Sequence, residues 1–415
     1  MCRRELAQAT ASRLELAAPV GGGLFLAASN NWIGWEEAIR NRFASDVLEY
    51  EAIASAAPQL THEELLTNHA PRFGVHYLTG LLSETGLPLH VVYRILAIAC
   101  LFGVVLLVDR ILRGLPLRRS SYALLMGSLL ATPYVFRYLA VAPGMLQDTA
   151  FVLATAALML GLLQGRTWLV TASLCLAVAT RVEGALPLLP VVGVWLWVGP
   201  GFPHSVGGVR MRRLAVAIGL PLLVYVAVRW TATLFPNRGS VDPSPVVEDI
   251  ANLPAGIDRL ALHVGRTALG IAMPGALLLA LGITAHRRQA LCAMPFELWG
   301  SLALAAALVL QPLLLSVNFT VGGEPRLSAL AAVPLVTACA IATAALRPRG
   351  GGKAWPSFAR AEAVLIIVLL AASSLSHRFA EIGPASPAQF ATLVLVCSVC
   401  LATLLARAFE RRAPT

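Results

Sequence analysis

Val91-Val-Tyr-Arg-Ile-Leu-Ala-Ile-Ala-Cys-Leu-Phe-Gly-Val-Val-Leu-Leu-Val108 decides the class of this chain. One charged residue, Arg94, interrupts it, and Asp109-Arg110-Ile-Leu-Arg113 closes it. As a helix such a run is about 27 Å long, close to the thickness of a bilayer's hydrocarbon core. Comparable runs recur over residues 14–29, 121–142, 149–164, 167–181, 184–199, 214–234, 266–285, 298–317, 327–346, 361–376 and 389–406. Over the whole chain 57% of residues are hydrophobic and 13% charged. Ordinary globular proteins have an apolar share of about 45–50%. The reading is an all-α, polytopic integral membrane protein of about 12 transmembrane helices, with residues 1–415 as one transmembrane domain.

Charge sets the orientation. The net charge of +10 comes from 31 Arg and the single Lys353, mostly in short loops. That is the signature of bilayer orientation rather than of nucleic-acid binding. With the N-terminus inside, the loops at 110–119, 164–166, 201–213, 286–289, 347–353 and 407–412 are cytoplasmic and hold most of the basic residues. Most acids then fall outside. Both termini are cytoplasmic, in a cytoplasmic (inner) membrane, and the functional face is periplasmic or extracellular. The preference for Arg over Lys and the Ala-rich usage fit a GC-rich bacterial genome. Cys100, Cys175, Cys339, Cys397 and Cys400 lie inside apolar runs, so Cys397-x-x-Cys400 reads as packing rather than as a redox pair.

The outer face carries the candidate chemistry. The first outer loop, 30–90, is far longer than a connector needs. Asp46-x-x-Glu49 and Thr61-x-x-Glu64 resemble helix-start signals. Trp32, Trp35, Phe43 and Tyr50 are spaced as on helices lying on the outer leaflet. If the segment from Asp46 is helical, Asp46, Glu49, Tyr50 and Ile53 share one face; alternatively Asp46 only caps that helix. His69-Ala-Pro-Arg72-Phe-Gly-Val-His76 is a basic, aromatic turn suited to a phosphate or to anchoring a surface loop. Asp148 is either a functional acid or the N-cap of the span at 149–164. Arg137 lies inside a span, where an arginine costs a few kcal/mol unless paired or hydrated. Arg181 and Glu183 form an island between two spans, and Glu324 and Arg326 mark the outer start of another. Arg137, Arg181 and Arg326 would make a bidentate anion site if their helices converge. Asp109 and Arg113 read as an ordinary surface pair on the cytoplasmic side.

This arrangement resembles the GT-C superfamily of membrane glycosyltransferases, which includes protein mannosyltransferases and lipid A aminoarabinose transferases. The resemblance rests on Asp46…Tyr50…Ile53-Ala54 after the first span and on Asp148 between the third and fourth. It also rests on Arg181-Val-Glu183-Gly-Ala-Leu-Pro and on Glu324-Pro-Arg326 before a span containing Pro334. It covers about residues 30–346, with short motifs. The His-Pro-Pro-type turn of some relatives appears only as His69-Ala-Pro71, and no adjacent Asp-Glu pair stands at Asp46. What the resemblance implies is transfer of a sugar from a polyprenyl-phosphate donor to a lipid, glycan or protein acceptor. Asp46 and Asp148 would be the catalytic acids. Tyr50, Arg72, His76, Arg137, Arg181, Glu183, Glu324 and Arg326 would bind substrate. A divalent cation is optional, because arginine alone can stabilise a single lipid-phosphate leaving group.

Two other classes compete. A secondary transporter of the major-facilitator type also has twelve spans with both ends inside, and Asp109-Arg110-Ile-Leu-Arg113-Gly echoes its basic loop. Its long loop, however, belongs between spans six and seven on the cytoplasmic side, and the two halves of this chain show no match. A non-catalytic membrane assembly protein is the third class, and it requires the acids to be helix caps alone.

Overall fold

The computed structural model describes residues 44–137, 139, 143–199, 207–239, 264–287, 289–314, 324–346, 360–381 and 387–410, together with Gly21. The rest of the run at 14–29, and Trp32, Trp35 and Phe43, lie outside the described residues. Among the described residues every regular element is helical. In chain order these are α1 (Ala44–Ala56), α2 (Phe73–Ser83), α3 (Leu89–Arg113), α4 (Arg119–Leu130), α5 (Leu146–Leu163), α6 (Thr167–Thr180), α7 (Val182–Ala185) and α8 (Leu188–Val198). They continue with α9 (Gly207–Ala232), α10 (Val264–Gly270), α11 (Ala272–Arg287), α12 (Phe296–Leu314), α13 (Glu324–Ala329), α14 (Ala332–Ala345), α15 (Arg360–Glu381) and α16 (Pro387–Glu410).

Among the described residues, four helical stretches are long and apolar enough to cross a membrane: Leu89–Arg113, Leu146–Leu163, Met211–Ala232 and Ala391–Ala408. A fifth results if α10 and α11, bent by 88°, count as one broken span. Shorter apolar helices lie over the runs at 167–181, 184–199, 298–317, 327–346 and 361–376.

Sequence explains several of these boundaries. Pro88 opens α3 in an extended conformation, and the Gly114 amide closes it on the carbonyls of Arg110 and Ile111. One stripe of α3 (Tyr93, Ala97, Leu101, Val104, Val108) is buried, whereas Ile95, Ile98, Phe102 and Leu106 are exposed. Large aliphatic side chains in a continuous exposed stripe suit lipid rather than water. α5 is buried nearly all round and forms the centre. A Schellman turn ends it: Gly165 is left-handed (φ 64°), and the Arg166 amide donates to the Gly161 carbonyl at 2.9 Å. That turn folds α6 back so closely that a Cβ on Gly161 would meet the Val170 nitrogen at 3.0 Å.

The expected span at 121–142 is not one helix. α4 stops at Leu130, and a π-helical turn, Pro133–Arg137, follows. Pro133 has no amide hydrogen to donate into the preceding turn, and at this residue the α-helix gives way to the π-helical turn. The helix start expected at Thr61 is also absent. The Thr61 hydroxyl accepts a hydrogen bond from the Glu63 amide (3.1 Å) within a turn. Nor is Asp109 an ordinary surface residue. It is buried, receives both carboxylate contacts from Arg113 Nε (2.8 and 2.9 Å) and accepts the Tyr122 hydroxyl. It therefore ties α3 to α4.

Candidate functional site

Four separate parts of the chain meet at the ends of α1 and α5. α1 presents Asp46, Glu49 and Tyr50 on one face, and α2 packs against it through Gly80. A Cβ there would lie 2.0 Å from the Ala54 carbonyl oxygen, so only glycine allows the approach. Between α6 and α7 the backbone of Arg181 is extended (φ −154°, ψ 84°). This break turns the Arg181 side chain toward the start of α5. α13 brings Arg326. Residues 235–239 run alongside the first loop: the Leu65 amide donates to the Pro236 carbonyl (2.9 Å) and the Arg238 amide to the Leu65 carbonyl (3.0 Å). Phe73 and Phe235 pack at 5.5 Å beneath them.

The result is a continuous chain of charged and polar contacts. Arg238 donates to Glu49. Glu49 Oε2 lies 2.8 Å from His69 Nδ1 and accepts the Leu66 amide at 2.9 Å. His69 Nε2 is 3.6 Å from Asp46 Oδ1. Arg326 spans the next gap, with one nitrogen 3.9 Å from Asp46 Oδ2 and its Nε 3.4 Å from Asp148 Oδ2. Asp148 in turn accepts from Arg181. Arg181 reaches Glu183 at 3.4 Å, Glu183 accepts from Arg72, and Arg72 donates to the Tyr50 hydroxyl at 2.9 Å.

Burial separates two kinds of member. Asp148 is 0% exposed, and Arg72 and Arg181 are nearly as enclosed. Asp46 (23%), Glu183 (28%) and Arg238 (52%) reach the surface. The Nε–H groups of Arg72 and Arg181 are buried without a hydrogen-bond partner among the described residues. Buried donors of this kind are costly unless something accepts from them.

Beneath the charges lies an aromatic floor. The Tyr50 ring stacks on the His76 imidazole at 4.1 Å, nearly parallel. His76 Nδ1 is 2.9 Å from the Tyr93 hydroxyl, which also donates to the Tyr50 carbonyl at 3.2 Å. Burial drives His76 down to about 3, so its ring is neutral. Burial also pushes the Tyr50 phenol up to about 12, against the pull of Arg72. For Glu49 burial acts upward, but the hydrogen bonds from His69 and the Leu66 amide outweigh it and hold the carboxyl below its ordinary range. Arg72 stays charged: burial opposes this, and Glu183 and the Tyr50 contact overcome it.

Of the residues picked from sequence, Asp46, Tyr50, Arg72, Asp148, Arg181, Glu183 and Arg326 meet in this chain, and His76 supports it from below. Two picks are corrected in their alternative reading. Asp148 is the third residue of α5, whose N-cap is Met145, and Asp46 is likewise inside the first turn of α1, so neither caps its helix. Tyr50 was expected at the membrane surface, yet it is fully buried in protein. Arg137 ends the π-helical turn and Glu324 opens α13, but both side chains lie outside the described residues. Arg238 was not anticipated. Nothing in its local sequence marks it, because its role depends on the long-range pairing of residues 235–239 with Leu65. Among the described residues no group of three or more His, Cys, Asp or Glu is arranged to hold a metal ion. In comparisons with protein-family models, curated proteins and solved structures, nothing matches this chain.

Proposed function

We propose that this chain is a polytopic membrane glycosyltransferase of about 12 spans, moving a sugar from a polyprenyl-phosphate donor to an acceptor at the outer face of the cytoplasmic membrane. The observation that carries the reading is Asp46: a partly exposed carboxylate in a charged cluster that holds the buried Arg72 and Arg181, at the end of an apolar helical bundle. A polyprenyl tail must stay in the bilayer, so the reacting carbon of its sugar is presented at the interface. Asp46 takes the proton of the acceptor hydroxyl. The new bond forms at the anomeric carbon as its bond to the phosphate oxygen breaks, and the electron pair leaves with the phosphate. Arg326, with Arg181 and Arg72 behind it, stabilises that charge in a site of reduced dielectric. Asp148 is buried against two of these arginines, and its part is to orient them. GT-C-type enzymes invert the anomeric centre, and inversion by direct displacement is expected here.

The test is transfer in proteoliposomes supplied with labelled sugars on undecaprenyl phosphate. The wild type should move label to an acceptor, and Asp46→Asn should abolish transfer while keeping the wild-type elution profile and thermal midpoint. An active Asp46→Asn protein would remove Asp46 from its role. A second reading, a secondary transporter, draws on the helix break at Arg181 and the 88° bend between α10 and α11, since transporters build sites from discontinuous helices. Uptake of a solute by reconstituted protein, without transfer, would favour it.

A further inference from the structure

We propose that His69 is the proton carrier of this site: it receives through Asp46 the proton released by the acceptor, while Glu49 orients the ring and balances the imidazolium that forms. The inference rests on the glycosyl-transfer reading above and adds to it a residue that reading does not use.

The geometry is that of a base held between two carboxylates from one helix. Asp46 and Glu49 stand one turn apart on α1 and contact opposite nitrogens of the same buried imidazole. The 2.8 Å contact to Glu49, already an acceptor of the Leu66 amide, requires the proton to lie on Nδ1. In the neutral ring Nε2 then carries the lone pair and faces Asp46 Oδ1 at 3.6 Å. The tautomer is set by the partner of the other nitrogen. The ring is further confined by Tyr50, whose centroid is 5.2 Å away. Among the described residues, charged groups that face the pair include Arg238 on Glu49, Arg326 on Asp46, and Arg72 on Tyr50; the neutral His76 lies beyond Tyr50.

Each proton has a place in this scheme. The acceptor O–H bond breaks as its oxygen joins the anomeric carbon, and the proton passes to the Asp46 carboxylate. Asp46 hands it to His69 Nε2 and is a carboxylate again before the next acceptor arrives. His69, now an imidazolium donating to both acids, returns the Nε2 proton to water through the partly exposed Asp46 carboxylate once the phosphomonoester has left, and the ring resumes its Nδ1–H tautomer. The charges support this. Asp46, Glu49, Asp148 and Glu183 cancel Arg72, Arg181, Arg238 and Arg326. The donor phosphodiester adds one negative charge, and the departing phosphomonoester carries a second at neutral pH. A proton retained on His69 offsets that second charge, so the site keeps a constant net charge through transfer.

Two measurements test it. The first is nitrogen NMR of protein labelled at the imidazole nitrogens, with the His69 signals assigned by their loss in His69→Asn and by their movement in Glu49→Gln. In the wild type at neutral pH, Nδ1 should be the protonated nitrogen and Nε2 the unprotonated one. Glu49→Gln should bring the two signals toward each other as the preference is lost. A wild-type ring protonated on Nε2 would overturn the relay whatever the chain transfers. The second is transfer by His69→Gln, which can still donate to Glu49 but cannot accept a proton. Its rate should fall by about 10²–10⁴-fold, with stabilisation by undecaprenyl phosphate retained. Wild-type transfer by His69→Gln would also overturn the relay. A wild type that transfers no sugar would count against the function proposed above, and the nitrogen spectrum alone would then decide the state of His69.

Discussion

Among single residues, Asp148 and His76 have roles that differ from a first impression of their chemistry. Asp148 is 0% exposed with two arginines on it, and in the proposed function it serves as their counter-ion. Removing one partner of a buried pair leaves an uncompensated charge, at a cost of about 3–5 kcal/mol. Asp148→Ala should therefore lower the thermal midpoint in detergent far more than Asp46→Ala, because Asp46 sits at the exposed side of the cluster. Equal effects would contradict the division of labour. His76 gives a pH signature. Its folded value of about 3 lies below the ordinary 6.5. Between those limits the unfolded chain binds a proton that the folded one does not, so stability is lost as pH falls from about 6.5 toward 3. The slope from this residue is at most about 1.4 kcal/mol per pH unit. Glu49, also lowered, adds loss only below its ordinary value of 4.5. His76→Gln should flatten the fall in thermal midpoint between pH 6.5 and 5 while leaving the steeper loss below 4.5 in place. An unchanged slope would mean that His76 takes up its proton while folded.

At the scale of elements, small residues and breaks position the site. Gly80 lets α2 touch the α1 backbone, with the Ala54 carbonyl carbon and the Ala57 Cβ both 2.8 Å from any added methyl. No flexible side chain stands in the way to yield, so the helices themselves must part. Gly80→Ala should destabilise by about 1–3 kcal/mol and lower transfer by moving Asp46 away from Arg326. Wild-type activity in a destabilised Gly80→Ala protein would show that α1 need not be held where it is. The helices over the apolar runs are legible in the sequence because period and hydropathy are local properties. So is the shared face of Asp46, Glu49 and Tyr50, which depends only on their spacing. The stop at Leu130 was not read from the sequence, because the hydropathy of 121–142 is continuous and proline alone does not end a helix here, α9 and α12 running through Pro221 and Pro312. The break at Arg181 and the pairing of Leu65 with residues 236–238 were not legible either, because each depends on where distant elements dock.

For the whole molecule, a bundle with lipid-suited exposed faces gathers one set of charges, partly buried, at the ends of α1 and α5. Hydropathy could announce an apolar helical bundle, and charge counting an excess of arginine. Neither could tell that every guanidinium in the cluster would find a carboxylate, or that Asp46 would remain partly open to the surface. The most direct test of the account is thermal stabilisation of the purified protein by undecaprenyl phosphate, compared with Arg326→Ala. A ligand that binds only the folded state stabilises it by about 2.7 kcal/mol at 100 times its Kd. The account predicts a clear rise in the wild-type midpoint that is lost in Arg326→Ala. No rise with undecaprenyl phosphate or its sugar-bearing forms, or an equal rise in the variant, would contradict a lipid-phosphate site at this cluster.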